Sequence, residues 1–262
     1  MEAAIETAAA GEHLEAVAID VARLAADLVR ASVGMAAQAG TKSTPTDVVT
    51  ATDVESEALI RRELLSRCPG STIVGEELAD DVGTNDVGWV VDPIDGTVNF
   101  LYDLPVVAVS IAATIGGRTV AGAVCDVLRG DVFSAALHTG ARRNGAPVTV
   151  RPIEQLDGAL IGTGFAYAAE RRRAQAEVIG RLLPNARDIR CMGSAALNLC
   201  WVGCGRLDGY YEQDTKPYDY AAGALIAAEG GARVELPAEN SLDLSMAAPA
   251  AIFDALRALV TG

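Results

Sequence analysis

The amino-acid sequence predicts an α+β fold in two halves, because strand-rich and alternating patterns occupy different parts of the 262-residue chain. Between residues 106 and 136, β-rich runs alternate with the turn signals Gly116–Gly117 and Arg129–Gly130, which indicates hairpins of an antiparallel sheet. After residue 159, runs typical of helices and of strands alternate, which favours an α/β arrangement. No linker-like composition separates the halves, and we place their boundary near residue 150, as 1–150 and 151–262.

The first half is predicted to open with two helices. Apolar residues recur at helical spacing over 14–28, with charged residues between them, which predicts a long amphipathic helix. The proline-containing stretch Gly40–Thr46 predicts a break in regular structure. Thr52 and Glu55 then form a capping-box pattern, which predicts the start of a second helix.

The remaining elements are predicted from the same kinds of signal. Predicted strands cover residues 47–50, 72–75, 89–91, 159–164, 209–212 and a segment from 233. Predicted helices cover residues 52–67, 170–183, 194–203 and 218–229, and a further helix could begin at Thr97. Residues 80–88 are acidic and polar, which predicts a flexible loop.

The composition is that of a globular, strongly acidic protein. Hydrophobic residues make up 50% and charged residues 21% of the chain, so disorder is not predicted. The formal net charge is −14, and the short run Arg171–Arg173 is expected to be a solvated helix face. These features predict no direct nucleic-acid partner. An acidic enzyme with an anionic substrate would need cations in its site to offset its own charge.

Terminal and cysteine patterns predict a cytoplasmic protein that does not enter a membrane. Glu2 and Glu6 lie where a signal peptide would be basic, and no uncharged apolar run reaches the ~20 residues that span a bilayer. The five cysteines are odd in number and scattered, which argues against a disulfide framework. Cys200 and Cys204 could share a helix face, but only two histidines exist to complete a zinc site, so buried free thiols are favoured.

The stretch from Asp92 to Thr97 carries the clearest chemical signal. An apolar strand ends in two carboxylates, Asp92 and Asp95, and the turn leads into a segment that could start a helix. Helix N-termini bind phosphate, but nearby carboxylates would repel it unless divalent cations lie between them. Mg²⁺ suits such a place because it takes carboxylate, phosphate and water oxygens. The alternative is a turn whose aspartates only cap a helix.

Two further acidic positions strengthen the metal interpretation. Glu76 and Glu77 follow a short strand and a glycine, and Asp219 stands at the start of an apolar helix. Taken singly, these residues could be solvated loop acids and a simple N-cap. Together with Asp92 and Asp95, they form a set that could hold Mg²⁺.

These motifs carry a resemblance to a known family. Gly75–Glu77, Trp89–Phe100 and Tyr218–Gly223 resemble the three signature blocks of the inositol monophosphatase family, of the bacterial inositol-1-monophosphatase type. Lys42–Asp53 is similar to its early motif, and Gly193–Ala196 and Asp208–Glu212 resemble its substrate-side segments. The blocks follow the family's order over nearly the whole chain.

The resemblance implies a layered α-β-α-β-α sugar-phosphatase fold that binds two or three Mg²⁺ ions. Residues 1–150 would be the metal-binding half and residues 151–262 would complete the substrate site, which lies in the cleft between the halves. One ion would be held by Glu76, Asp92 and the Ile94 carbonyl, and a second by Asp92, Asp95 and Asp219, with Glu77 supporting the ligands. Glu76 would help with a weaker third ion.

The resemblance also implies roles in catalysis and substrate binding. Asp53 and Thr97 would orient and deprotonate the attacking water. The phosphate would be held by the Gly96 and Thr97 backbone N–H groups, beside Asp95 and Asp219. The alcohol part of the substrate would face Gly193, Ser194, Ala195 and Glu212. A homodimer and inhibition by lithium are further expectations of the resemblance.

The predicted function is Mg²⁺-dependent hydrolysis of a small phosphate monoester, inositol 1-phosphate, to inositol and phosphate by metal-activated water. Alternatives of the same fold are histidinol-phosphate, fructose-1,6-bisphosphate and adenosine 3′,5′-bisphosphate phosphatases, and a non-enzyme alternative is a regulatory protein-binding factor. Tyr218 stands where family members often have tryptophan, and Lys216–Pro217 is unusual, so the substrate stays open. Asp92 and Asp95 are three residues apart, whereas a haloacid-dehalogenase-type phosphatase needs aspartates two apart.

Overall fold

Two β-sheets form the frame of the molecule. A computed structural model describes residues 2–35, 38–41, 48–237 and 243–262, with side chains omitted for 2–9 and 38–39. The larger sheet has the strand order β3-β4-β5-β6-β7-β8-β9. Its strands are β3 (Thr72–Gly75), β4 (Val87–Asp95), β5 (Ala108–Ile115), β6 (Arg118–Asp126), β7 (Val132–Ala136), β8 (Arg142–Arg143) and β9 (Ala146–Pro147). β3 runs parallel to β4 and every later pair is antiparallel, so the predicted hairpins are present.

The smaller sheet has the order β11-β10-β12-β14-β13. Its strands are β10 (Leu160–Thr163), β11 (Asp188–Cys191), β12 (Gly209–Gln213), β13 (Arg233–Glu235) and β14 (Leu244–Ala248). β10 is parallel to both β11 and β12, as an α/β half predicts, but β14 is antiparallel to β12 and β13. The sheet is therefore mixed, and β14 was not among the predicted strands.

Helices cover the faces of both sheets. They are α1 (Glu2–Ala31), α2 (Ala51–Arg67), α3 (Thr97–Leu101), α4 (Ala169–Leu182), α5 (Ala195–Gly203), α6 (Pro217–Glu229) and α7 (Ala250–Thr261), with 3₁₀ turns at Leu156–Gly158 and Leu183–Asn185. Of these, α7 was not predicted. In the described part of the chain, no helix combines the length and apolar character needed to cross a membrane.

Three hydrophobic cores arrange these elements in five layers. The first core joins α1 and α2 to one face of the larger sheet, and the second joins α5 and α6 to its other face and to the smaller sheet. The third core packs α4 and α7 on the outer face of the smaller sheet. This α-β-α-β-α order confirms the predicted fold class. The second core takes residues from both halves, such as Val124 and Tyr210, so the boundary at residue 150 stays a prediction.

Three local predictions need correction. The predicted break begins within a strand, because β1 (Gln38–Thr41) pairs with β2 (Val48–Thr50); residues 42–47 lie outside the described residues. The capping box of α2 is formed by Thr50 and Asp53, two residues before the predicted pair. The predicted loop over residues 80–88 is shorter than predicted, because β4 already begins at Val87, and the Asp81 backbone exchanges hydrogen bonds of 2.9 Å with Ile73.

The cysteines are free thiols, and the run of three arginines lies on a helix surface, as predicted. All five cysteines are unpaired; Cys200 is buried and Cys204 is partly buried. Arg171–Arg173 lies exposed on α4. Arg171 is nevertheless ion-paired with Asp214.

Candidate metal and phosphate site

The end of β4 brings two carboxylates to one side of the sheet. Asp92 and Asp95 are both buried, and in a regular strand residues three apart would point to opposite faces. A register shift intervenes, since Asp92 pairs with Ser110 and Asp95 with Ala108. One extra residue on β4 re-aims the second carboxylate, as a β-bulge does.

Glu76 and Asp219 approach this strand end from neighbouring elements. β3 is parallel to β4, so the Glu76 that follows β3 lies at the same sheet edge. Asp219 lies in the first turn of α6, where its carboxylate accepts a 2.6 Å hydrogen bond from the Lys216 N–H. Asp219 therefore belongs to a capping box rather than being the N-cap itself.

The charges of this acidic cluster perturb one another. Burial raises the pKa of Asp92 well above its ordinary value, and the charges of Glu76, Asp95 and Asp219 raise it further. Burial likewise raises the pKa of Asp219 well above its ordinary value, against the hydrogen bond from Lys216. Such shifts mean that the carboxylates are costly to ionise together unless positive charge joins them.

The donor set fits a hard divalent cation. Within the ranges described, no group of three or more acidic, histidine or cysteine side chains forms a ready-made metal cage. A hydrogen bond joins the Glu76 and Asp92 carboxyl groups, and such a bond requires a proton between them. A divalent cation would satisfy the same oxygens with more positive charge, and all the donors are the oxygens that Mg²⁺ prefers.

Asp95 is held by the start of α5. Its carboxylate accepts hydrogen bonds from the Ser194 hydroxyl at 2.5 Å, the Ala196 N–H at 2.8 Å and the Ala195 N–H at 3.2 Å. Burial raises the pKa of Asp95 to about 6, and these hydrogen bonds oppose the rise. Ser194 and Ala195, expected to face the substrate, thus also orient this carboxylate, and their part in substrate binding stays a prediction.

Asp53 and Thr97 form a second pair close to the acidic cluster. The Thr97 hydroxyl lies 3.0 Å from the Asp53 carboxylate and 3.0 Å from the Ile94 carbonyl. The other Asp53 oxygen accepts the Thr50 N–H at 2.9 Å and the Thr50 hydroxyl. Asp53 is fully buried, so one carboxylate both caps α2 and contacts the turn that follows β4.

The turn at Gly96 needs glycine. Gly96 has φ 100°, and a Cβ there would lie 2.9 Å from the Val106 carbonyl oxygen and 3.0 Å from that of Gly193. Gly96 is the N-cap of α3, so its N–H and that of Thr97 have no partner within the helix. Asn99 secures this turn, since its amide donates 2.8 Å hydrogen bonds to the Val106 and Met192 carbonyls.

Glu212 and Tyr210 lie side by side on β12. The buried Tyr210 hydroxyl donates a 3.0 Å hydrogen bond to Glu212. Glu212 lies so close to Gly164 that a Cβ at Gly164 would be 2.2 Å from its carboxylate oxygens. Burial raises the pKa of Glu212 to about 7, the Tyr210 hydrogen bond opposes the rise, and the Asp95 charge adds to it.

Some residues near the site were not predicted from sequence. Glu57, Arg61 and Tyr210 lie within apolar or mixed runs where buried and solvated side chains have the same local pattern. Glu57 and Arg61 are an i,i+4 pair of opposite charge, a pattern that is also found on solvated helix faces.

Comparison with known proteins decides the family. A family model described as "Inositol monophosphatase family" matches residues 11–257. The chain belongs to the inositol monophosphatase family. The resemblance stated from the signature blocks is therefore confirmed. The family is metal-dependent, and its members named inositol-1-monophosphatase are phosphoric monoester hydrolases, which confirms the predicted enzyme class.

Individual relatives cover most of the chain. An inositol-1-monophosphatase from Mycobacterium leprae is 49% identical over 83% of this chain and 79% of its own length. A protein named Nus factor SuhB from Salmonella typhimurium is 42% identical over 71% of this chain and 70% of its own. The solved structure of Mycobacterium tuberculosis SuhB is 44% identical with a TM-score of 0.82, over 95% of this chain and 96% of that one.

Proposed function

We propose that this protein hydrolyses inositol 1-phosphate to inositol and phosphate with the help of two or three Mg²⁺ ions. The observation that carries the proposal is the acidic cluster around Asp92, whose carboxylates raise one another's pKa beside the Asp53–Thr97 pair. Glu76, Asp92 and the Ile94 carbonyl would hold one ion, and Asp95 and Asp219 would share a second with Asp92. Glu77 would support these metal ligands. Bound Mg²⁺ would offset the phosphate charge and make water a better nucleophile.

Asp53 and Thr97 are proposed to prepare the attacking water. The Thr97 hydroxyl donates to Asp53, which leaves the Thr97 oxygen free to accept a hydrogen bond from water. Asp53 is then the proton acceptor within reach. The N–H groups of Gly96 and Thr97 would hold the phosphate at the first turn of α3.

Glu212 is proposed to select the polyol. A carboxylate accepts hydrogen bonds from two neighbouring hydroxyls, which inositol offers and a simple aryl phosphate does not. The Tyr210 hydroxyl fixes the carboxylate, and Gly193, Ser194 and Ala195 would line the same side. Histidinol phosphate, fructose 1,6-bisphosphate and adenosine 3′,5′-bisphosphate are the competing substrates.

A phosphate-release panel tests the proposal. The four esters and an aryl phosphate are assayed with and without Mg²⁺, and inositol 1-phosphate should have the highest kcat/KM and require the metal. Glu212→Gln should lower kcat/KM on inositol 1-phosphate strongly while barely changing the aryl phosphate, because a site built to pair hydroxyls discriminates when the pairing fails. Glu235→Gln on β13 is the control and should change neither, since the Glu235 carboxylate pairs with Arg257 on α7.

Two outcomes would contradict the assignment. Equal losses on every substrate would remove Glu212 from the specificity pocket. A wild-type preference for a bisphosphate would overturn inositol 1-phosphate and would point to Lys216, which is exposed at the start of α6 near Asp219.

A regulatory, protein-binding role is the second candidate, favoured by the relatives named Nus factor SuhB. Metal binding without phosphate release from any of the four esters would favour this role.

A homodimer and a cytoplasmic location also belong to the proposal. Sedimentation at twice the monomer mass would support the homodimer.

A further inference from the structure

A buried ion pair lies beneath the loop that carries Glu76 and Glu77. Glu57, on α2, is fully buried. Its carboxylate accepts the Glu77 N–H at 2.7 Å and the Leu78 N–H at 3.2 Å. Two successive peptide groups of the loop are thus fixed by one side chain.

Arg61 extends this contact to the far side of the loop. It lies one turn further along α2 and pairs with Glu57 at 2.7 Å. The same guanidinium donates to Asp81 at 2.8 Å and to the Leu78 carbonyl at 3.1 Å. The charge of Glu57 is therefore balanced by Arg61, and the loop is fixed at both of its ends.

Gly75 is part of the same arrangement. A Cβ at this position would lie 2.1 Å from a Glu57 carboxylate oxygen and 2.9 Å from an Arg61 nitrogen. The last residue of β3 must therefore lack a side chain for the loop to reach the ion pair. The Gly75–Glu76–Glu77 block therefore needs glycine at its first position, because any side chain there would clash with Glu57.

α2 contacts two of the three segments that carry the proposed metal ligands, namely the end of β4 with the turn after it and the loop after β3. Asp53 accepts the Thr97 hydroxyl, Ser56 donates to the Pro93 carbonyl at 3.1 Å, and Glu57 binds the loop after β3. One rigid helix thus relates the position of Glu76 to that of the β4 end.

We propose that Glu57 and Arg61 are positioning residues that hold Glu76 at the distance from Asp92 needed to share a divalent cation. The inference rests on the proposed metal site. Groups that orient metal ligands commonly change metal affinity or activity by about 10–100-fold when they are replaced. Loss of either partner lets the loop move, and the cation is then held by fewer carboxylates.

The test is binding of Mn²⁺ alone, followed by electron paramagnetic resonance without substrate, on the full chain. Glu57→Gln should raise the Kd by at least about tenfold. Arg61→Lys keeps the charge but loses the fork that reaches Asp81 and Leu78, so a smaller rise is expected. Circular dichroism at the same temperature establishes that each variant is folded, and Arg61→Lys carries the test if Glu57→Gln does not fold.

Asp208→Asn is the matched control. Asp208 is also buried, pairs with Arg151 at 2.6 Å and accepts the Leu160 N–H at 2.8 Å, but it lies before β12, at the end remote from Glu212. Asp208→Asn should lower the melting temperature of the protein without changing the Kd for Mn²⁺. Unchanged Kd in both α2 variants, or an equal change in Asp208→Asn, overturns the inference. Failure of the wild-type chain to bind Mn²⁺ overturns the proposed metal site, and the inference with it.

Discussion

Asp53 joins a structural contact and a proposed catalytic contact in a single side chain. One oxygen completes the capping box of α2 with Thr50, and the other faces Thr97. Replacing such a cap typically costs about 0.5–2 kcal/mol, whereas removing a general base costs about 10²–10⁴ in rate. The two roles therefore have very different signatures.

Asp53→Asn should lower kcat by about 10²–10⁴ with only a modest fall in melting temperature. The amide keeps the size of the side chain but does not accept a proton at neutral pH. Turnover and thermal unfolding are measured on the same preparation. Glu55→Gln, exposed on the same helix, is the control and should change neither. Near-normal kcat with a lower melting temperature would show that Asp53 only caps α2 and is not the general base.

At the scale of elements, the site depends on how closely α6 packs on the larger sheet. Asp219 lies in the first turn of α6, while Asp92 lies on β4. Gly122 on β6 lets the helix approach, since a Cβ there would lie 2.9 Å from the Ala222 Cα. The contact between helix and sheet therefore sets the separation of two proposed ligands.

Gly122→Ala should destabilise the fold by about 1–3 kcal/mol and weaken metal binding, because backbone has to shift. Denaturant unfolding and a Mn²⁺ titration measure the two effects. Gly180→Ala on α4 is the matched control, since a Cβ there meets nothing within 4 Å; it should be neutral or stabilising by up to about 1 kcal/mol. If the Gly122→Ala variant folds and its metal affinity is unchanged, the packing of α6 on the larger sheet does not control the metal site.

At the scale of the whole molecule, the acidic cluster links stability to pH and to metal. The metal-free folded state has raised pKa values at Asp92, Asp219, Asp95 (about 6) and Glu212 (about 7). Between pH 4 and pH 7 it therefore binds more protons than the unfolded chain. Stability must then fall as pH rises through this window.

The metal-free protein should lose several degrees of melting temperature between pH 5 and pH 8, since one pKa unit corresponds to about 1.4 kcal/mol. Added Mg²⁺ binds the ionised carboxylates, so it should stabilise the protein more at pH 8 than at pH 5. Thermal unfolding with a chelator or with excess Mg²⁺ at each pH measures this. Equal stabilisation by Mg²⁺ at both values would contradict a carboxylate site.

The local elements and the order of the acidic motifs could be predicted from the amino-acid sequence. The β5–β6–β7 hairpins and helices α4 to α6 follow from turn residues and periodicity, which act over a few residues. Asp92, Asp95 and Asp219 stand at strand and helix ends that can be located without a structure. The predicted capping box of α2 was shifted by two residues, because Thr50 and Thr52 are equally good caps until β2 fixes the helix start.

Which side chains contact one another could not be predicted, because these contacts form only in the folded protein. The bulge in β4 depends on pairing with β5, and it turns Asp95 toward the start of α5. The burial of Glu57 and Arg61 depends on a loop twenty residues away. β14 enters the smaller sheet between β12 and β13. Each of these outcomes rests on contacts between distant parts of the chain, whose energies leave no periodic trace in the local sequence.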